Sequence, residues 1–142
     1  MLNEPCSVAD PRPFRNGFSG VKAVFPFLYQ ELKQICFITG TDTGAGKTVL
    51  ACLLVRFLRG QGINAAALKP VCSGGRDDAR KIFSALDGAL TLDEINPWHF
   101  RAPIAPFLAA QREKKRTKIL PVLAHIRAIQ KRFDVLMVEG AG

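Results

Sequence analysis

Apolar and polar positions fall into a regular order of elements after about residue 34. Ile35-Cys36-Phe37-Ile38-Thr39 is a nearly continuous apolar run, the pattern of a parallel strand buried on both faces. From there the period changes. Val49, Leu50, Leu53, Leu54, Phe57 and Leu58 recur at helical spacing, and Gly60 and Gly62 end the helix. Asn64 to Leu68 reads as a second strand, and Asp77 to Leu86 as a second helix. Asn96 to Pro106 carries prolines at 97, 103 and 106 and reads as a loop. Pro121 to Arg132 is a helix with Pro121 in its first turn and Leu123, Ile126 and Ile129 turned inward. Asp134 introduces Val135-Leu136-Met137-Val138, another strand of the buried parallel kind.

Residues 1–33 follow no such period. Pro5, Pro11, Pro13, Gly17, Gly20 and Pro26 punctuate them, which predicts a poorly ordered extension, with a short amphipathic helix allowed near Tyr29 to Lys33. The segment lacks a charged start followed by an apolar core, so it does not read as a secretory signal. Glu4 and Asp10 make it a poor organelle transit peptide. No apolar stretch approaches the roughly 18 to 20 residues that cross a bilayer. At 142 residues the chain is about one domain. Cys6, Cys36, Cys52 and Cys72 show no Cys-x-x-Cys spacing, and three lie in or beside predicted buried elements. That pattern predicts reduced thiols in a cytoplasmic protein. The net charge of +8 comes largely from helix surfaces and one run near Lys114, and a nucleotide is anion enough to need some of it.

The chemistry concentrates between the first strand and the first helix. Gly40-Thr41-Asp42-Thr43-Gly44-Ala45-Gly46-Lys47-Thr48 has the small residues that let backbone N–H groups curl around phosphate oxygens ahead of a helix N-terminus. Lys47 can reach the β- and γ-phosphates, and the Thr48 hydroxyl can ligate Mg²⁺. The loop is a variant, because Gly40 stands one position early and Thr41 holds the strict glycine position. The fold class this implies is α/β, a P-loop NTPase-type (Rossmann-like), mostly parallel sheet with flanking helices. In such sheets ligands sit beyond the carboxyl ends of the strands. Lys69 and Ser73, in Lys69-Pro70-Val71-Cys72-Ser73-Gly74-Gly75, are therefore expected in the same crevice, as is Glu139 at the tip of the last strand. An acid in that place can bind Mg²⁺ directly or through water.

Three motifs in order, Thr39 to Thr48, Lys69 to Gly74 and Val138-Glu139-Gly140-Ala141-Gly142, together resemble dethiobiotin synthetase of biotin biosynthesis. The resemblance covers Ile35 to Gly142. It implies a homodimeric P-loop enzyme that makes dethiobiotin from 7,8-diaminononanoate, CO₂, ATP and Mg²⁺. By that resemblance Lys69 is the active-site lysine, and Thr43 and Ser73 lie on the substrate side. Thr48, Asp78 and Glu139 match the metal-binding set. Gly44, Ala45, Gly46, Lys47, Thr48, Val49, Asp78, Glu139, Gly140, Ala141 and Gly142 match the nucleotide site. Asp77 stands beside Asp78, and either can be the ligand while the other caps the helix. Gly44 occupies a position where relatives can carry an acidic side chain. The family continues for about another domain-half with further strands, base recognition and dimer contacts, so the chain is expected to be a truncated one. A parallel sheet short of strands exposes an edge and an apolar face.

Two other classes share parts of this pattern. A related P-loop amidotransferase synthetase or a partition-type ATPase would keep the loop and the strand-end acid, and Lys-Pro-Val-Cys-Ser-Gly argues against both. A nucleic-acid binder would use Arg112, Lys114, Lys115, Arg116 and Lys118. That run has no interleaved aromatics and reads as a solvated face. His99 and His125 have no metal-ligand spacing.

Overall fold

In the computed structural model, residues 33–42, 44–115 and 118–141 are described. The predicted extension therefore lies outside the described residues, apart from Lys33. The elements are β1 (Gln34–Ile38), α1 (Lys47–Gly60), β2 (Ala65–Leu68), β3 (Val71–Ser73), α2 (Asp77–Ala85), α3 (Leu92–Ile95), β4 (Trp98–Phe100), α4 (Pro106–Arg112), α5 (Ile119–Gln130) and β5 (Val135–Glu139).

The main sheet is parallel with strand order β1-β5-β2. Cys36 is in register with Met137 on one side, and Ala67 with the same Met137 on the other. The last strand in sequence is thus the centre of the sheet, and its carboxyl end lies between those of β1 and β2. The side chains of Leu136, Met137 and Val138 are buried, as are Ala65 to Leu68 opposite them. A second, two-stranded parallel sheet pairs β3 with β4, Cys72 opposite His99. The segment expected to be loop from Asn96 to Pro106 contains this strand. Trp98 opens the pairing by donating its N–H to the Pro70 carbonyl 3.0 Å away, so the proline just before β3 supplies an acceptor where it has no donor to give.

Three further expectations change. β1 is an edge strand, not one buried on both faces: Ile38 is its buried residue, and Phe37 is 63% exposed. The stripe on α1 divides. Leu54 and Leu58 pack on the core, while Val49, Leu50, Leu53 and Phe57 are exposed and the small Ala51 and Val55 meet the sheet. Helix and sheet approach closely where both present small side chains, here Ala51 against a strand that begins Ala65-Ala66-Ala67, and larger residues are left to the outer face. On α5, Val122 and Ile129 are buried and Ile126 is half-buried, but Leu123 is exposed. The helix starts at Ile119, two residues before the expected Pro121, and its buried face runs through Val122, Ile126 and Ile129, at i, i+4 and i+7.

α3 has a start signal in its sequence. Thr91 accepts from the Glu94 N–H at 3.2 Å, and Glu94 accepts from the Thr91 N–H at 2.7 Å, a reciprocal capping box.

Candidate functional site

The loop between β1 and α1 turns into the helix through Gly46, whose φ of 79° is left-handed, a conformation glycine adopts without a Cβ penalty. Lys47 and Thr48 follow and are both buried, although they open a helix. The Lys47 stem lies across Gly40, where a Cβ would stand 3.4 Å from Lys47 Cδ. The early glycine of this variant loop therefore serves as the floor under the lysine. Lys47 Nζ donates to the Asp42 carbonyl, across the hollow of the loop.

Glu139 ends the central strand and is 2% exposed. Its Oε1 accepts from Thr48 Oγ1 at 2.8 Å and from Lys69 Nζ at 2.6 Å. Lys69 Nζ also donates to Asp78 Oδ2 at 2.6 Å. Residues 48, 69, 78 and 139, from α1, the end of β2, the first turn of α2 and the end of β5, thus meet in one cluster. Burial works against the charge on Lys69, but its bonds to Asp78 and Glu139 and their negative charges outweigh that and hold its pKa above the ordinary lysine value. Burial also opposes ionisation of Asp78, and the hydrogen bond and charge of Lys69, helped by Lys81, override it and hold the carboxyl below its usual value. Asp77 also borders the neighbouring cleft, but it pairs with Arg80 at 2.7 Å, its side chain 82% exposed, and has no bond to Lys69 among the described residues. The geometry thus separates the two neighbouring aspartates.

Glu139 Oε2 is buried and meets no donor among the described residues. A buried carboxylate oxygen without a partner is costly. Here it sits on a residue that already gathers a hydroxyl and, through Lys69, a second carboxylate. Those are hard oxygen donors of the kind that suit Mg²⁺, so Thr48, Asp78 and Glu139 fit the ion that the sequence implies.

Beside this cluster opens a cleft of about 470 Å³, walled by Lys47, Lys69, Ser73, Asp78, Pro103 and Ala141 among others. Ser73 is half-buried at the end of β3, on the cleft side as expected. Gly74 has φ 79°, and a Cβ there would stand 3.1 Å from Pro103 Cβ, so this glycine lets the 74–75 turn pack on the 101–105 turn and close one wall. Gly140 is half-buried and donates its N–H to Ile38 O at 2.9 Å. Gly44, Ala45, Val49 and Ala141 are exposed around the loop. Thr43 and Gly142 lie outside the described residues. Of the basic run, Lys115 pairs with Glu113 at 2.9 Å, Arg112 and Lys114 are exposed, and Arg116 lies outside the described residues. His125 Nε2 donates to the Glu94 carbonyl, 2.7 Å away, and the ring stands edge-on to Trp98. No group of three or more His, Cys, Asp or Glu side chains gathers around a metal-sized space among the described residues, so the ion would rest on two carboxylates and the Thr48 hydroxyl.

Sequence reasoning missed Asn96, Arg76 and Cys72. Asn96 is fully buried and lies behind Lys69; the one available signal, Asn-Pro, reads locally as a turn. Cys72 is free and buried. Burial pushes its thiol pKa up despite a hydrogen bond to Asn96.

The AAA domain family matches residues 34–142. Curated relatives named ATP-dependent dethiobiotin synthetase BioD include those of Methanococcus vannielii, 39% identical over 75% of this chain and 50% of the relative, and of Akkermansia muciniphila, 43% identical over 74% and 49%. That of Anaeromyxobacter sp. (strain Fw109-5) is 41% identical over 75% and 49%. The chain spans about half the length of these relatives. With a phosphate loop, a strand-end glutamate and a lysine between two carboxylates at the carboxyl end of one parallel sheet, and with the family match over residues 34–142, the chain belongs to the AAA domain family and is similar to about half the length of the dethiobiotin synthetases named above.

Proposed function

We propose that this polypeptide takes part in ATP-dependent formation of dethiobiotin, in which 7,8-diaminononanoate and CO₂ yield the cyclic urea, ADP and phosphate. The observation that carries the reading is the Lys69 ammonium, 2.6 Å from both Asp78 and Glu139 and on the wall of the cleft that Lys47 also lines. The reaction needs cationic groups at that place. An amine of the substrate captures CO₂ as a carbamate; a carbamate oxygen attacks the γ-phosphorus and ADP leaves; the second amine attacks the carbonyl carbon and phosphate leaves with the bonding pair. Negative charge grows on the transferred group, so preorganised donors supply most of the stabilisation.

In this reading the loop amides of Gly44, Ala45 and Gly46 and the Lys47 ammonium hold the β- and γ-phosphates. Lys69 faces the carbamate, and Ser73 and Thr43 hydrogen-bond it or its amine. Thr48, Asp78 and Glu139 would hold Mg²⁺, which when bound neutralises phosphate charge. Val49, Gly140, Ala141 and Gly142 border the nucleotide. Homodimer formation and a cytoplasmic setting belong to the same proposal; the described cysteines are free, and no helix among the described residues is long and apolar enough to cross a membrane.

Phosphate release from ATP is the test. It should require diaminononanoate and bicarbonate together, and Lys69→Ala should lower kcat by about 10² or more, the scale lost with a preorganised donor. Glu139→Gln should raise the Mg²⁺ needed for half-maximal rate. Equal turnover with glutamine or with DNA in place of the diamine would favour an amidotransferase synthetase or a partition-type ATPase, and full kcat in Lys69→Ala would remove the lysine from its role.

A further inference from the structure

We infer that Asn96 is a positioning residue that holds Lys69 and Asp78 in register across the cleft. Its side chain is wholly buried and spans the two ends of the 69–76 segment. Asn96 Nδ2 donates to the Lys69 carbonyl at 2.6 Å, while Oδ1 accepts from Arg76 Nε at 3.2 Å and from Cys72 Sγ at 3.2 Å. Arg76 returns a second bond, from its terminal nitrogen to the Asn96 carbonyl at 3.0 Å, and anchors on the Leu92 carbonyl at 2.8 Å. Lys69 is also held from this side through its own N–H, which donates to Ile95 O at 3.1 Å.

Lys69 and Asp78 are nine residues apart, and two glycines with left-handed φ, Gly74 and Gly75, lie between them. Such a segment fixes neither end by itself. Asn96 touches it at both: the peptide that carries the Lys69 side chain, and the arginine immediately before α2, whose first turn presents Asp78. An amide suits this place because one end donates and the other accepts. Aspartate has no donor for the Lys69 carbonyl, and alanine removes the partner of that carbonyl and of the Arg76 Nε–H, while the Cys72 thiol keeps its bond to the Gly75 carbonyl at 3.0 Å. None of the atoms that Asn96 contacts belongs to the phosphate loop.

The inference rests on the proposed metal-binding role of Asp78 and Glu139, and its test reads metal directly. Mn²⁺ binding in the presence of ATP, followed by the loss of the free-ion electron spin resonance signal, should weaken about 10-fold in Asn96→Ala, as when a group orienting a metal ligand is removed. ATP affinity without metal should stay within about twofold. Arg76→Gln, which removes one half of the clamp at a partly exposed residue, should give a smaller loss of the same sign, and it stands as the test should Asn96→Ala not fold. Mn²⁺ binding equal to wild type in the folded variants, or a parallel fall in metal-free ATP affinity, overturns the inference. Mn²⁺ binding by Asp78→Asn equal to that of wild type would instead remove the metal reading, and the inference with it.

Discussion

Strands β1 and β5 each carry four apolar residues in five and have opposite fates. They pair with each other residue for residue, yet Leu136, Met137 and Val138 are buried while Ile35, Cys36 and Phe37 are exposed. The difference is position. β5 has a strand on each side and helices over it, and among the described residues β1 has a partner on one side. Apolar content therefore states what a strand can bury, and topology decides what it does bury. The site follows the same division, because its buried carboxylate comes from β5, and β1 contributes the loop that leaves its tip.

The contrast can be broken most sharply in the core. Leu136→Ala should cost about 2–5 kcal/mol through lost burial and the cavity left behind, read as a lower urea midpoint with unchanged slope. Phe37→Thr, at the register position opposite Val138, should cost only about 0.5 kcal/mol, as for other surface changes. A comparable loss at both positions would show that β1 is covered in solution.

Glycines at the strand ends repeat the comparison at smaller scale. Gly74→Ala should cost about 1–2 kcal/mol from left-handed backbone alone, with further loss because the methyl would meet Pro103 backbone at 3.3 Å. Gly140→Ala meets Phe37 Cζ at 3.1 Å, but that ring is exposed and free to swing, so the change should be nearly neutral in thermal melting. If Gly140→Ala proves the costlier, Phe37 is held in place and the contrast weakens.

The smallest effect lies in the capping box of α3. Folding lowers the pKa of Glu94 through the Thr91 N–H and then the Arg132 guanidinium. A lowered carboxyl contributes stability in full above its unfolded value of about 4.3 and loses it as pH falls through the folded value. Glu94→Gln should accordingly flatten the acid limb of the stability curve below about pH 5, while its effect above that range stays constant. An acid limb identical to wild type would show that the pair with Arg132 is not kept in solution.

Much of the frame was legible because local chemistry and tertiary role agree there. Gly46-Lys47-Thr48 sits at a strand–helix junction, and Glu139 ends an apolar run, so period and motif point to one crevice that the fold forms. Direction of burial was less legible. Val49, Leu53 and Phe57 keep a helical period whether they face the sheet or solvent, and the small residues that meet the sheet, Ala51 and Val55, make a weaker pattern than the large ones opposite. Asn96 was not legible at all. Its role depends on residues 20 to 27 positions earlier, a distance at which an Asn-Pro pair carries no signal beyond its own turn.

The open flank of β1 and α1 has a colloidal consequence. Phe37 on β1 and Leu53 and Phe57 on α1 are exposed, β1 is a sheet edge among the described residues, of the sort that other chains pair with, and the whole molecule carries a net charge of +8. Like charge keeps copies apart only while their fields overlap, over about 30 Å at 0.01 M ionic strength and about 8 Å at 0.15 M. Dilute salt therefore favours dispersed chains, and at physiological ionic strength contact between apolar flanks is no longer opposed at long range.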